Sequence, residues 1–574
     1  MGPQISTIGD YATTSKGPLL WPQPQSLSHG SIPVILRIPL DLRIQAPDEA
    51  SRDFLKKATG RFNQLLAQGS LRPLKYTPPN SSGLPSITKV QIQIKDPSLK
   101  LGMEIDEGYQ LDIPSVPTDN ESGRILIHAH SVYGAIRAME TLTMLGVQGH
   151  DDTDPLILPY TPYRIIDRPR YPHRGLMLDT SRSYFPVQDI LRTLDAMAWS
   201  KMNVFHWHII DSQSFPLASE ALPQLAQHGA YSPDSIYSRS DVARIIEYAR
   251  LRGIRVIPEF DAPGHTYIWS ASFPHIISCP DVQPNWPDVS AEPPSGQFNL
   301  LQKKPLNLMK SLLSEQAQWF PDAYVHVGGD EVNTQCYEQD DSIASYLQRT
   351  GRKVVDLIHQ WINQYQGIVR DLGKKVISWE ESILEYGITP SPDDTLIQVW
   401  KGAANVQSVI AKNLRVITSP SDYWYLDCGR GQWLSTPSGG TSWCDPFKDW
   451  MRMYSYDPLT NLTDPPHPSM DPSDSSKAFQ AHPLVIGGET AMWTEMTDPV
   501  NLDVVVWPRA SAVAEVLWSG KTDLTGKVRS VEQALPRILA LRRRMVRRGI
   551  RADMVQMEWC ELNPGHCALY PGGE

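Results

Sequence analysis

No run of about 18 apolar residues occurs in the 574-residue chain, so no transmembrane helix is expected. No C-x-x-C pair occurs either, and metal binding through cysteine is not expected. No G-x-G-x-x-G follows an early strand pattern, which counts against a dinucleotide fold. The first residues, Met1-Gly-Pro-Gln-Ile-Ser6, lack the basic and apolar segments of an export signal. Positive charge is in deficit: 53 Lys and Arg stand against 63 Asp and Glu, a net −10. That balance disfavours nucleic acid or an anionic membrane as a main partner.

Cysteine is sparse, with six residues, but its placement is suggestive. Sequential pairing as Cys279–Cys336, Cys428–Cys444 and Cys560–Cys567 is the expectation, out of the many connectivities six cysteines allow. Sequons at Asn80, Asn120 and Asn461 add weak support for a secreted or lysosome-like protein whose signal lies outside this sequence. Tryptophan is abundant at 17 residues, most of them expected in the core.

The chain divides near residue 165. A tail over 1–20 precedes an α/β domain over 21–165, and 166–574 is expected to hold the larger domain with a C-terminal helical extension. In the first domain, helical spacing covers 47–66 and 132–145, while 86–94 and 124–130 carry strand patterns around Val90, Ile92, Ile94 and Ile125. Residues 149–171, rich in Asp and Pro, read as a linker. Beyond them, strand patterns at 175–179, 203–210, 255–260, 324–327, 375–379, 395–400, 414–418 and 485–491 alternate with helical ones. This βα alternation argues for a (β/α)8 barrel, with two packed doubly wound halves as the alternative.

A barrel places its chemistry at the C-terminal ends of its strands. Polar and aromatic residues collect there. The most informative stretch is His326-Val-Gly-Gly-Asp-Glu331, an apolar strand, two glycines and adjacent carboxylates. Adjacent acids on an apolar strand repel and resist desolvation, so folding gains little from them. Catalysis gains a proton donor beside an anion.

With Arg174–Arg182, Asn203–Asp211, Asp261-Ala-Pro-Gly-His265 and Trp493-Thr-Glu495, this stretch resembles the β-N-acetylhexosaminidases of glycoside hydrolase family 20. Secreted fungal members resemble it most in overall organisation. The resemblance implies a TIM barrel behind a smaller α/β (α+β, zincin-like) domain. It also implies a carbohydrate substrate, no cofactor or metal, a homodimer, and exo-acting retaining hydrolysis assisted by the substrate's acetamido group, an established trait of the family.

The roles that follow from the resemblance are specific. Glu331 would be the general acid and Asp330 the partner of the acetamido N–H. Tyr425 would bind the acetamide oxygen and Asp427 the 6-hydroxyl. Trp379, Trp400 and Trp493 would form an aromatic box, and Glu495 would take sugar hydroxyls. Arg182 would fork onto outer hydroxyls or form an ion pair with Asp179 or Asp211. Asp211 and His265 would orient Glu331, while Trp443 is a platform for the next sugar or a packed loop residue. Activity should then peak at acidic pH.

His206, His208 and His326 read as core histidines. A metal-dependent hydrolase using His206, His208, His265 and Asp330 is the first rival, and a sugar-binding protein without catalysis the second. Two departures from the family pattern, Thr494 in place of Gly and a short 427–444 loop, bear on subsite shape.

Overall fold

A mixed sheet comes first along the chain in the computed structural model, which describes residues 17–74, 81–115, 123–149, 151, 153–435, 440–460, 462 and 482–568. Asn80, Asn120 and Asn461 lie outside these residues. The sheet is built from β1 (Ser26–Gln45), β2 (Ser86–Ile94), β3 (Tyr109–Ile113), β4 (Arg124–Ala129) and β5 (Ile157–Asp167), in the order β1-β2-β4-β3-β5. β1 also pairs antiparallel with β5 and closes the sheet on itself. The helix Val132–Leu145 forms where its pattern predicts, capped by Ser131, and every one of its residues is buried.

Three expectations need correction here. Residues 149–171 are not a linker, because β5 runs through the stretch from Ile157 to Asp167 and pairs with β1 and β3. β1 and β3 are additional strands. Pro33 and Pro39 in β1, and Pro159 and Pro162 in β5, hide both strands, since proline removes a ladder donor. The structure absorbs them through register shifts at His29/Ile32 and Ile32/Val34. The helical stretch 47–66 is also two helices, Glu49–Thr59 and Phe62–Gln68, parted at Gly60 and Arg61.

The eight remaining apolar runs close into a parallel barrel. Its strands are β6 (His173–Asp179), β7 (Val204–Ile210), β8 (Arg255–Phe260), β11 (Tyr324–His326), β12 (Lys375–Trp379), β13 (Thr395–Val399), β14 (Arg415–Thr418) and β15 (Val485–Met492). The small ribbon β9 (Ile277–Ser278) and β10 (Gln297–Phe298) lies in the loop after β8. Pairing of β15 with β6, as in Thr490 with Leu176, completes the ring and removes the two-halves alternative. These strands are buried on both faces, so their sequences are continuous apolar runs.

The barrel interior is layered. Val204, Ile257, Ile377, Leu396, Ile417 and Ile486 pack one apolar layer. Met177, Trp379, Trp400, Tyr425 and Ala491 cluster separately, toward the C-terminal strand ends. The N-terminal domain is fastened to the opposite end. Glu107 accepts from Arg137 at 2.8 Å and from Arg174 at 2.6 Å. Arg137 donates onward to the carbonyl of Gly253, just before β8, at 2.9 Å.

Candidate active site

The strand β11 delivers the two acids through a turn only glycine can make. Gly328 and Gly329 have φ of 62° and 93°, and a Cβ on Gly328 would lie 1.7 Å from Oδ1 of Asp261. Glu331 and His265 are themselves held in the left-handed region, at φ 50° and 54°. Left-handed backbone at non-glycine residues persists only where surrounding structure imposes it, and both residues face the same cavity.

That cavity has a volume of about 490 Å³. Of the site residues expected from the sequence, Arg182, His265, Asp330, Glu331, Trp400, Tyr425, Asp427, Trp443, Trp493 and Glu495 line it. Asp211 and Trp379 are not among the residues lining it. Asp211 lies behind His265, accepting from its Nδ1 at 3.1 Å, and pairs with Arg182 at 2.8 Å. Trp379 is buried one ring deeper, its Nε1 donating to Glu259 at 2.9 Å and its ring 6.3 Å from that of Trp493.

Aromatic rings form the walls. Trp400 and Tyr425 stack at 6.3 Å between centroids with an interplanar angle of 13°. Trp443 stands edge-on to both, at 5.8 Å and 6.0 Å, and is 65% exposed, as a rim residue would be rather than a packed one. Trp400 is anchored by its Nε1, which donates to Glu381 at 3.0 Å. The segment around Tyr425 bridges to Ala491 near the end of β15, the Leu426 N–H donating to the Ala491 carbonyl at 2.9 Å, which is how a loop residue reaches the barrel mouth.

The polar side is dominated by ion pairs. Asp211 holds His265, whose Nε2 stands 3.3 Å from Oε2 of Glu331 and 3.7 Å from Asp330. Although burial opposes it, the Asp211 carboxylate above all pushes the His265 pKa well above its ordinary value, so the ring is an imidazolium. Arg182 takes the ion-pair arrangement with Asp211 while also lining the cavity. It forms a second pair with Glu292 and lies 4.9 Å above the Trp493 ring.

Burial raises the carboxyls of Asp330 and Glu495 well above the usual range, with Asp261 adding to the first and Glu292 to the second. Burial likewise moves Asp427 up to about 7. Burial also holds the Tyr425 phenol protonated, well above 10. Oδ1 of Asp330 is buried with no hydrogen-bond donor.

Beneath the cavity, the core reading of the histidines holds. Burial opposes it, but Glu489 and Glu259 raise His206 to about 9, and Glu259 and Asp211 raise His208 to about 10. His206 bonds Glu489 at 2.9 Å, and His208 bonds Asp211 at 2.9 Å. Among the described residues, His206 groups with Glu259 and His326, and His265 with Asp261 and Asp330, so the four ligands of the metal-hydrolase rival do not converge.

Thr494 is not among the residues lining the cavity; it binds Asp179 through its Oγ1 at 2.9 Å, tying the end of β15 to that of β6. The 427–444 loop does border the cavity, through Gln432, Trp433 and Ser442 among others.

Sequence reasoning missed Glu292, Trp286, Trp433 and Met496, all in the lining. Glu292 and Trp286 come from the irregular loop between β9 and β10, where no periodicity marks a residue's direction.

All three disulfides form as expected. Cys428–Cys444 clamps the loop that follows Tyr425 and Asp427. Replacing both cysteines by Ala should remove about 3 kcal/mol by loop entropy. Activity should fall several-fold while unfolding stays cooperative, as measured by kcat/KM alongside thermal denaturation.

Residues 171–521 match the family described as glycosyl hydrolase family 20, catalytic domain, and residues 20–145 match one described as beta-acetyl hexosaminidase like. Beta-hexosaminidase 1 of Coccidioides posadasii is 33% identical, covering 84% of this chain and 82% of its own. The chitooligosaccharidolytic beta-N-acetylglucosaminidase of Bombyx mori is 32% identical over 96% and 89%, and the beta-hexosaminidase subunit beta of Felis catus 33% over 97% and 96%. The β-N-acetylhexosaminidase structure from Bacteroides fragilis has a TM-score of 0.69 at 23% identity, covering 95% of this chain and 99% of that one, which supports the fold. With its barrel, its paired acids and an aromatic-walled cavity at the strand ends, the chain belongs to the β-N-acetylhexosaminidases of glycosyl hydrolase family 20.

Proposed function

We propose that the protein removes terminal non-reducing β-linked N-acetylhexosamine from chitooligosaccharides or glycoconjugates, with retention, through an oxazolinium intermediate. One observation carries this reading. A buried carboxylate oxygen without a donor, on Asp330, and a protonated phenol, on Tyr425, line one aromatic-walled cavity. An acetamido group offers the complementary pair, an N–H and a carbonyl oxygen.

The chemistry then divides among few residues. The acetamido oxygen attacks C1 while Tyr425 holds it in line. The C1–O bond breaks as Glu331 gives its proton to the leaving oxygen. Positive charge develops on the acetamido nitrogen, where Asp330 stabilises it. Water adds at C1, and its proton returns to Glu331, restoring the sugar's acetamide. Trp400 and Trp493 wall the acetamide, while Asp427, Glu495 and Arg182 take hydroxyls, and Trp443 stacks on the next sugar.

Export to a secreted or lysosome-like compartment is supported by the three disulfides. A homodimer rests on the family resemblance, and sedimentation tests it. Relatives bearing the chitooligosaccharidolytic name support chitin fragments as one substrate class.

The decisive test replaces the acetamido group. Aryl glycosides with a 2-hydroxyl in its place should react at least about 10³-fold more slowly, because an internal nucleophile has been removed. Fluorinating the acetyl should slow turnover in steps. Trapping of a covalent glycosyl-enzyme on any Asp or Glu by a 2-fluoro sugar would sink the proposal.

A further inference from the structure

Asp261 follows directly on β8 and has no part in the chemistry above. It nevertheless lies under the acids. Its Oδ1 accepts the backbone N–H of Gly329, the residue before Asp330, at 2.7 Å. It fills the space where a side chain on Gly328 would go. Its Oδ2 is buried and has no donor, and the same is true of Oδ1 on Asp330. Carboxylate oxygens of Asp261 and Asp330 lie with a His265 nitrogen inside a group spanning 4.8 Å.

Two buried carboxyls this close cannot both ionise readily, so one proton belongs to the pair. Asp330 nonetheless has to be an anion when charge appears on the acetamido nitrogen. We propose that Asp261 is a positioning residue that pins the turn carrying Asp330 and accepts the pair's single proton when substrate binds. The inference rests on the role given to Asp330 above.

The proton balance is closed. Above about pH 6 the proton of the empty site is on Asp330, and Asp261 is the anion. A ligand N–H donated to Asp330 favours its anion, and the proton crosses to Asp261, which then donates a hydrogen bond back. The pair carries one negative charge before and after, and nothing is released to solvent.

The surrounding groups agree with this order. Burial, then Asp261, Glu381 and Glu331, push Asp330 well above the usual range against the pull of His265. Burial and Glu259 raise Asp261 to about 6, with His265 and His208 opposing. Tyr365, which also feels Asp261, stays a neutral phenol because burial raises it further.

Asp261→Asn and Asp261→Ala separate the two duties. Asn keeps an acceptor for Gly329 and supplies an N–H to Asp330, imitating protonated Asp261. Its kcat on an aryl N-acetylglucosaminide should stay within about 10-fold of the parent, whereas Ala should lose at least about 10²-fold.

The second readout needs no turnover. Asp261, raised to about 6 in the folded state chiefly by burial, keeps below that pH a proton that the unfolded chain has lost, so its stabilising effect is full below about pH 4 and fades as pH rises through about 6. Asn removes the carboxyl that titrates through this window, so Tm of Asp261→Asn minus Tm of the parent should climb by about 1–3 °C from pH 4 to pH 7. A difference that stays flat with pH, or an Asn variant as impaired as Ala, would overturn the inference. A parent enzyme inert on the glycoside would instead refute the proposed function, and the Tm series would still decide whether Asp261 holds a proton above the ordinary carboxyl range.

Discussion

Glu331→Gln is expected to slow cleavage of chitobiose by about 10²–10⁴-fold, while an aryl glycoside with a strongly acidic leaving group loses far less. Gln keeps the size of the side chain, so the left-handed backbone at φ 50° and the cavity wall should persist. What it cannot do is give a proton to the glycosidic oxygen. An alkoxide leaving group needs that proton, and a nitrophenolate barely does. The measurement is kcat/KM for a series of leaving groups, plotted against their pKa. The variant's plot should be steep where the parent's is shallow. Equal losses across the series would show that Glu331 shapes the site without acting as the acid.

Asp330→Asn should lower kcat by about 10²–10³-fold and change KM little. In the ground state the acetamide is neutral, and its N–H makes an ordinary hydrogen bond. Full positive charge on the nitrogen appears only as the oxazolinium ring closes, so the anion's contribution belongs to the transition state. The burial of Asp330, 6% exposed, makes that contribution larger than in water. Separate kcat and KM values decide the matter. A rise in KM that accounted for the whole loss would make Asp330 a simple binding group.

Much of the catalytic domain could be read residue by residue. The eight barrel strands occur where the apolar runs are, because a strand buried on both faces needs unbroken apolar sequence. The N-terminal sheet was harder. β1 and β5 carry prolines that local rules assign to loops, and only their pairing with each other reveals them as strands.

The site divides in the same way. Tyr425 and Asp427, and Trp493 and Glu495, two residues apart, all line the one cavity. Asp211 and Trp379, matched just as well by motif, are bonded to His265 and Glu259 and are not among the lining residues.

By itself, then, the sequence determined the barrel, the paired acids at the end of β11 and the aromatic character of the cavity. Each of these is written in local periodicity and in residue types clustered at strand ends. Only the tertiary structure decided which of those residues face the cavity, and that Glu292 joins them from a loop without periodicity. It alone placed Asp261 against Asp330, 69 positions away in the chain, by way of the Gly329 amide. The reason is physical. Periodicity reports which face of an element is buried, whereas a carboxyl's protonation depends on which other charges the fold brings near it, and that is a property of distance in space.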